Sequence, residues 1–296
     1  MMKLMDESHI LLGMTIVSSV EAPRLDPAMI AQLPHAPGIY IFRGETTLPL
    51  YIGKSIDIRS RVLSHIRGEE KTRMIAQARS VDYVETAGDI GAQLLESRLI
   101  KEHKPLYNIR LRRVKKLYSI RLLKKSDYLT PQIVSSQEVM IGQTDSLYGL
   151  FRSASAVRSK LEELADSHQL CHGLLGLETI NKRGCFRLQI KKCRGACVGQ
   201  EDISHHDERL VAGLDELKIY IWPYDGPIDL IEQREGWTQR HRIDQWRYLG
   251  TWCSRANEFV AATDQGFDLD TYKILVRPIM FHPDQALIEP APTSAL

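Results

Sequence analysis

The 296-residue chain has 43% hydrophobic and 26% charged residues, an ordinary globular balance that excludes a low-complexity or disordered polymer and allows two or three compact units. Its apolar run "ILLGMTIV" at 10–17 follows Asp6 and Glu7 and falls short of the ~20 residues of a membrane span, so neither a signal peptide nor a membrane anchor is expected. The net charge of +2 conceals an asymmetry: Met1 to Lys125 holds 21 Lys and Arg against 13 Asp and Glu, and the remainder holds 18 against 24.

Residues 1–30 carry Pro23 and Pro27 without clear patterning and are taken as an N-terminal extension. "PGIYIFRGETTLPLYIGKS" (37–55) predicts a β-hairpin, two β-rich runs around a polar segment with Gly44. A helix follows over 57–66, with Ile58, Val62 and Ile66 on one stripe and Asp57 as N-cap. "VDYVET" (81–86) alternates as a strand, and 89–105 is helical with Ala92, Leu95 and Leu99 on one face, stopping at Pro105. Strand, strand, helix, strand, helix makes a small α+β unit with a mostly antiparallel sheet, spanning 31–112.

A linker and cysteine-rich domain is expected over 113–203, strand-like at 117–152 and helical at 153–171, and a β-rich α+β C-terminal module over 204–296. Within that module the pattern predicts a helix after 204, a hairpin at 218–233 around Pro223–Gly226, a helix near Asn257 and a strand at "TYKILVRPI". All four tryptophans fall there and read as core of the β-rich module.

Two groups of residues call for more than a structural account. Arg61 and His65 flank the apolar stripe of the first helix, and Glu96 shares a face with Ala92 and Leu99; charged groups at the rim of a buried face need partners or a task. The second group is Cys171, Cys185, Cys193 and Cys197. Disulfides are disfavoured in the cytoplasm, the default compartment here; only the last pair approximates a zinc knuckle, and four thiolates also suit an iron–sulfur cluster. Iron–sulfur, zinc and buried free thiols all stand open on spacing alone, with Arg187, Lys191, Lys192 and Arg194 placed to offset a cluster's negative charge. Cys253 reads as a small buried hydrophobe, and His172, His205 and His206 as surface residues. Between the two groups, Arg110, Arg112, Arg113, Lys115 and Lys116 form a basic stripe suited to a nucleic-acid backbone.

"GIY" (38–40) and "YIG" (51–53), with Lys54, Arg61, His65, Glu96 and Asn108 in order, resemble the GIY-YIG nucleases, and "LLESRLIKEHKPLYN" is most similar to the amino-terminal nuclease of the excinuclease subunit UvrC. The resemblance implies Tyr51, or Tyr40 with it, as base. It further implies Arg61 on the phosphate, Glu96 on a divalent cation (magnesium or manganese), and Lys54, His65 and Asn108 as companions. Lys54 and Arg61 are expected to lower the tyrosine pKa, with His65 accepting its proton. The cysteine pattern is similar to the region that follows the nuclease in UvrC proteins, which implies a 4Fe–4S cluster, with zinc as the alternative. The chain is too short for the remaining modules of UvrC and is similar in plan to its short homologues. That implies a cytoplasmic enzyme that makes the 3′-side incision near a lesion in damaged double-stranded DNA, together with UvrB loaded by UvrA. A UvrB-independent structure-specific nuclease, and a DNA-binding iron–sulfur redox sensor with a vestigial site, are the competing readings.

Overall fold

The computed structural model describes residues 25–46, 48–68, 72–108, 116–125, 127–264, 266–283 and 287–292. The chain divides into two compact units, Met1–Arg112 with Glu232–Gln239, and Arg113–Ile231 with Arg240–Leu296.

In the first unit a short helix α1 (Pro27–Ala31), capped by Asp26, precedes strands β1 (Gly38–Arg43) and β2 (Pro49–Ser55). Helices α2 (Ile58–Arg67) and α3 (Thr72–Gln77) then lead to β3 (Ser80–Glu85) and helix α4 (Asp89–His103). The sheet runs β2-β1-β3 and is antiparallel throughout. β1 is its central strand, and the two-residue period of a strand gives it two buried faces. Ile39 and Ile41 pack with Ile52 and Ile100, whereas Tyr40 and Phe42 pack with Ile58, Val62, Met74 and Val81. Leu25 and Ile30 join the second cluster, so the last residues of the expected extension belong to this core. Helix α3 has no counterpart among the elements expected from the sequence.

In the second unit, β4 (Tyr118–Lys125), β5 (Tyr128–Ser135) and β6 (Leu147–Phe151) form a sheet of order β5-β4-β6. Helix α5 (Ala154–His168) follows with Ser153 as its N-cap, then a single turn α6 (Phe186–Gln189) and helix α7 (Ile203–Leu214). Ile120 and Leu122 of β4, Val157, Leu161 and Leu164 of α5, and Leu210 and Leu214 of α7 make one core. Helix α7, expected to open the C-terminal module, therefore packs with the middle region.

The last sheet contains β7 (Ile228–Arg234), β8 (Trp237–Asp244), β9 (Arg247–Cys253), β10 (Glu258–Ala261) and β11 (Leu287–Pro290), in the order β10-β9-β8-β7-β11, with helix α8 (Leu269–Val276) before β11. Three expectations fail here. "TYKILVRPI" is helical: Asp268 accepts from the Thr271 N–H, and Leu269, Tyr272, Leu275 and Ile279 are buried at helical spacing. Short apolar runs do not distinguish a buried helix from a strand by period alone. Asn257 lies in a left-handed turn (φ 48°) between β9 and β10 instead of a helix. No hairpin spans 218–233, because the N–H groups of Ile219 and Trp222 donate to Leu147 and Gly142 and leave β7 to pair with β8 and β11. Trp222, Trp237 and Trp246 are buried as expected, and Trp222, Trp246 and Tyr272 stack edge to face at centroid distances of 5.3 and 5.1 Å. Cys253 is half exposed, not a core residue.

Candidate active site and cysteine centre

β2 is an edge strand, and its outward backbone groups need partners other than another strand. They find them in the segments that carry the candidate residues. The Asn108 side chain pairs twice with Ile52, accepting from its N–H at 2.9 Å and donating to its carbonyl at 2.8 Å. The Tyr107 N–H donates to the Leu50 carbonyl at 3.0 Å, and Glu96 Oε1 accepts from the Lys54 N–H at 3.0 Å. Leu50, Ile52 and Lys54 alternate along one edge, so Asn108 and Glu96 close the strand that carries Tyr51. Asn108→Ala should cost about 2–4 kcal/mol, since it strands a buried N–H and a buried carbonyl together. Urea unfolding would read this, and a loss near zero would remove Asn108 from the frame.

The two glycines of the motif have steric roles. Gly38 has φ +155°, and a Cβ there would lie 2.2 Å from the Val84 carbonyl oxygen. Gly53 stands opposite Tyr40 in the β1–β2 register, and a Cβ on it would lie 2.3 Å from the Tyr40 hydroxyl. The Tyr40 ring thus crosses β2 where the neighbour has no side chain. Gly53→Ala should push this ring aside and lower incision at least about tenfold, because catalysis tolerates little misplacement; an unchanged rate would show that Tyr40 need not lie there.

Asp57 caps α2 by accepting from the Ser60 N–H at 2.9 Å, and the helix turns Ile58, Val62 and His65 inward. The Tyr40 hydroxyl shares a 2.7 Å hydrogen bond with His65 Nε2. The rings of Tyr40, Tyr51 and His65 lie 5.5–6.1 Å apart pairwise. Burial pushes the Tyr40 phenol well above its usual range and proximity to Tyr51 adds to this, outweighing the hydrogen bond and charge of Arg61 that act against it. The expected net lowering by cations therefore does not hold for Tyr40. The Lys54 ammonium is committed to the Asp89 carboxylate at 2.7 and 3.0 Å.

Two residues of this frame are not among those expected from the sequence. Asp89 sits in the first turn of α4, holding Lys54 and accepting from the Gln93 amide. Glu232, within the same unit, accepts from the N–H groups of Ile90 and Gly91 at 2.9 and 2.7 Å, where the helix cap Gly88 offers no side chain. A carboxylate at a helix N-terminus satisfies free donors and complements the dipole. A lone Asp at a helix start gives a weak signal in sequence, and Glu232, far along the chain, gives none.

In the second unit, Cys171, Cys185 and Cys193 are buried with their Sγ atoms within 4.8 Å of one another. Cys185 and Cys193 Sγ are 3.4 Å apart, and the Cys185 N–H points to Cys197 Sγ at 3.4 Å. Burial pushes the Cys193 thiol up to about 11 and Cys171 further. Cys185 goes the other way: against its burial, hydrogen bonds from Cys193, the Leu188 backbone, Cys171 and Cys197 hold it below the ordinary thiol range. One thiol eased toward the thiolate among buried neighbours fits a site completed by a metal centre, whose positive charge supports thiolates. His206 is fully buried, not a surface residue, and its Nε2 accepts from the Cys171 N–H at 3.2 Å. Arg187 is also buried; it pairs with Asp166 at 2.7 Å and donates to the carbonyls of Ala165 and Lys192, tying the loop to α5. Lys191, Lys192 and Arg194, expected to neutralise a cluster, are exposed. Arg110, Arg112, Arg113 and Lys115 lie outside the described residues, and Lys116 places its ammonium 5.2 Å over the Tyr118 ring.

A three-stranded antiparallel sheet that gathers both motif tyrosines, with a carboxylate from the following helix on its edge strand, defines a nuclease domain of the GIY-YIG class. Three family descriptions match in succession: the UvrC-like GIY-YIG domain over residues 36–109, the UvrC/Cho excinuclease middle domain over 117–216, and the excinuclease Cho C-terminal domain over 227–295. Excinuclease cho of Salmonella typhi is 46% identical over 254 residues, covering 85% of each chain, and that of Escherichia coli K12 is 43% identical over 263 residues, covering 88% of each. The GIY-YIG N-terminal endonuclease domain of UvrC from Thermotoga maritima, solved with magnesium as its catalytic divalent cation, is 30% identical over 28% of this chain and 93% of its own, with a TM-score of 0.27. The chain belongs to the excinuclease Cho family of UvrC-like GIY-YIG nucleases, DNA endonucleases of nucleotide excision repair.

Proposed function

We propose that this endonuclease makes the 3′-side incision near a lesion in damaged double-stranded DNA, together with UvrB loaded by UvrA, by metal-assisted hydrolysis of one phosphodiester at the site on β2. The observation that carries the site is the closure of the β2 edge by Glu96 and Asn108 on the strand that bears Tyr51. Glu96 would hold the divalent cation, magnesium or manganese, which keeps most of its waters on a single carboxylate. Such an ion supplies charge stabilisation at the phosphoryl and departing 3′ oxygens. Arg61, exposed at the rim, presents a planar fork to the phosphate.

Tyr51 is half buried and Tyr40 fully, so Tyr51 is the phenol that meets water. It accepts the proton of the attacking water while its own moves to Tyr40 and that of Tyr40 to His65 Nε2. The 2.7 Å hydrogen bond between Tyr40 and His65 supports this relay, which forms no buried phenolate. Lys54 and Asn108 hold the strand and helix that present these groups.

Around this site we infer a cytoplasmic enzyme of a nuclease domain to about residue 112, a middle region with the cysteine centre, and a C-terminal module. The packing of α7 supports moving the second boundary past 203. The stripe Arg110, Arg112, Arg113, Lys115 and Lys116 tracks the DNA backbone, and Cys171, Cys185, Cys193 and Cys197 hold a 4Fe–4S cluster, with zinc as the alternative.

The test is incision of an end-labelled duplex carrying one defined bulky lesion, with and without UvrA and UvrB. The expected result is a single cut, 3′ of the lesion, only with both partners. Equal cutting of undamaged flaps without them would overturn it in favour of a structure-specific nuclease.

A further inference from the structure

The cysteine centre has an outer face that its inner chemistry does not explain. Residues 180–198 contain six Lys and Arg and no Asp or Glu. The thiols, Arg187 and Ala196 take the inside, and four large apolar side chains are left outside: Phe186 at 61% exposure, Ile190 at 45%, and Ile180 and Val198 at 39% each. Phe186 and Ile190 are one turn apart, with the Ile190 N–H donating to the Phe186 carbonyl, so their side chains lie on the same side of α6. Val198 lies beside Leu188 and Gly184, away from this pair.

This exposure is built in. The Phe186 N–H donates to Glu178 Oε1 at 2.6 Å, Cys185 before it is fully buried, and Arg187 after it is tied to Asp166. The backbone therefore fixes the ring outward, at the expense of burying it. Lys182, Arg183, Lys191, Lys192 and Arg194 are exposed on the same stretch of chain, and Lys182, Arg183 and Lys191 make no ion pair among the described residues. An apolar wedge beside cations is complementary to a nucleic-acid duplex: the cations meet phosphates, and the ring lies against a base step that has been opened. The substrate of this enzyme is such a polyanion, whereas a purely apolar or basic partner would be repelled or left unmatched by these charges.

We propose that Phe186 and Ile190, with Lys182, Arg183 and Lys191, form a DNA-docking face on the cysteine centre, and that Phe186 stacks against an unstacked base. This rests on the chain acting on DNA; it is independent of the side of incision, of the partner proteins and of which metal the thiolates hold.

The test uses the full chain, without added divalent ion, and a fluorescein-labelled duplex with one central mismatch, followed by anisotropy at several salt concentrations. Phe186→Ala should weaken binding roughly five- to fiftyfold with no change in salt slope, as loss of one stacked base requires. Phe186→Tyr should restore it. Replacing Lys182, Arg183 and Lys191 together by Ala should flatten the slope of log affinity against log salt by roughly 0.9 for each phosphate no longer neutralised. A 2-aminopurine in the mismatch should brighten on binding the native chain and not the Phe186→Ala variant. Should Phe186→Ala melt early, the exposed triple variant decides through its slope. Native affinity and slope in both variants would overturn the proposal. So would intact DNA binding with loss of capture by immobilised UvrB, which would assign the face to a protein. Cleavage seen on a gel reports the catalytic reading separately, so the two can fail independently.

Discussion

Glu96→Gln should leave DNA affinity and melting temperature close to native and lower incision by roughly 10²–10³ or more, the loss typical of removing one charge-stabilising element at a reacting phosphoryl or acyl group. The substitution keeps an amide oxygen that can go on accepting from the Lys54 N–H, as Glu96 Oε1 does at 3.0 Å, so the edge of β2 stays closed. What it removes is the negative charge, and a hard divalent cation depends on that charge. Glu96→Ala is the rougher variant, since it also frees a backbone donor at a cost of about 1–3 kcal/mol. Activity that vanishes only in the Ala variant would mark Glu96 as a strand clasp instead of a metal ligand. Normal turnover by a folded Glu96→Gln protein would overturn the site.

The parts legible in the sequence were those with a local cause. Gly38 and Gly53 mark places where a Cβ meets a carbonyl or a ring, so the tripeptides that hold them stand out. Asp57 caps the helix that starts beside it, and the α4 stripe ends where Lys104 turns left-handed (φ 48°) before Pro105. The parts that were missed depend on distant partners. Nothing near Lys54 announces that its ammonium goes to Asp89, and nothing near Gly88 announces a cap from Glu232. The segment 218–222 reads as half a hairpin until Leu147 and Gly142 take its donors. Burial was harder to read: His206 reads as a surface residue and Arg187 as a cation offsetting a cluster's charge, yet both lie inside, because each finds a backbone or carboxylate partner there. Phe186 and Ile190 stay outside, because α6 is one turn long and buries only the side that carries Arg187.

The largest structural effect is expected at Cys185. Protein purified without oxygen should be brown and carry about four iron and four sulfide per chain, as a 4Fe–4S cluster requires. Cys185→Ala should bleach it and leave residues 171–200 open to proteolysis, with the core of α5 and α7 still folded. The reason is the composition of that segment. The cluster around its thiols is Cys171, Leu174, Cys185, Cys193 and Ala196, and among these only Leu174 is a large hydrophobe; Leu175 is buried instead with α5 and α7. Three sulfur atoms at its centre contribute little burial energy, whereas metal ligation by thiolates supplies about 10–16 kcal/mol in small zinc-dependent folds. Cys185 is the thiol whose loss should matter most, because it is fully buried and its Sγ meets that of Cys193 at 3.4 Å. Cys253→Ala, on β9 and half exposed, serves as the control and should retain colour and protease resistance. Stoichiometric zinc without iron after anaerobic preparation would replace the cluster with zinc and keep the ligand set. Five titratable thiols, Cys253 included, with neither metal, in a segment that still resists protease, would mean that the four cysteines are plain core, and that the loop is held by Arg187 and its partners alone.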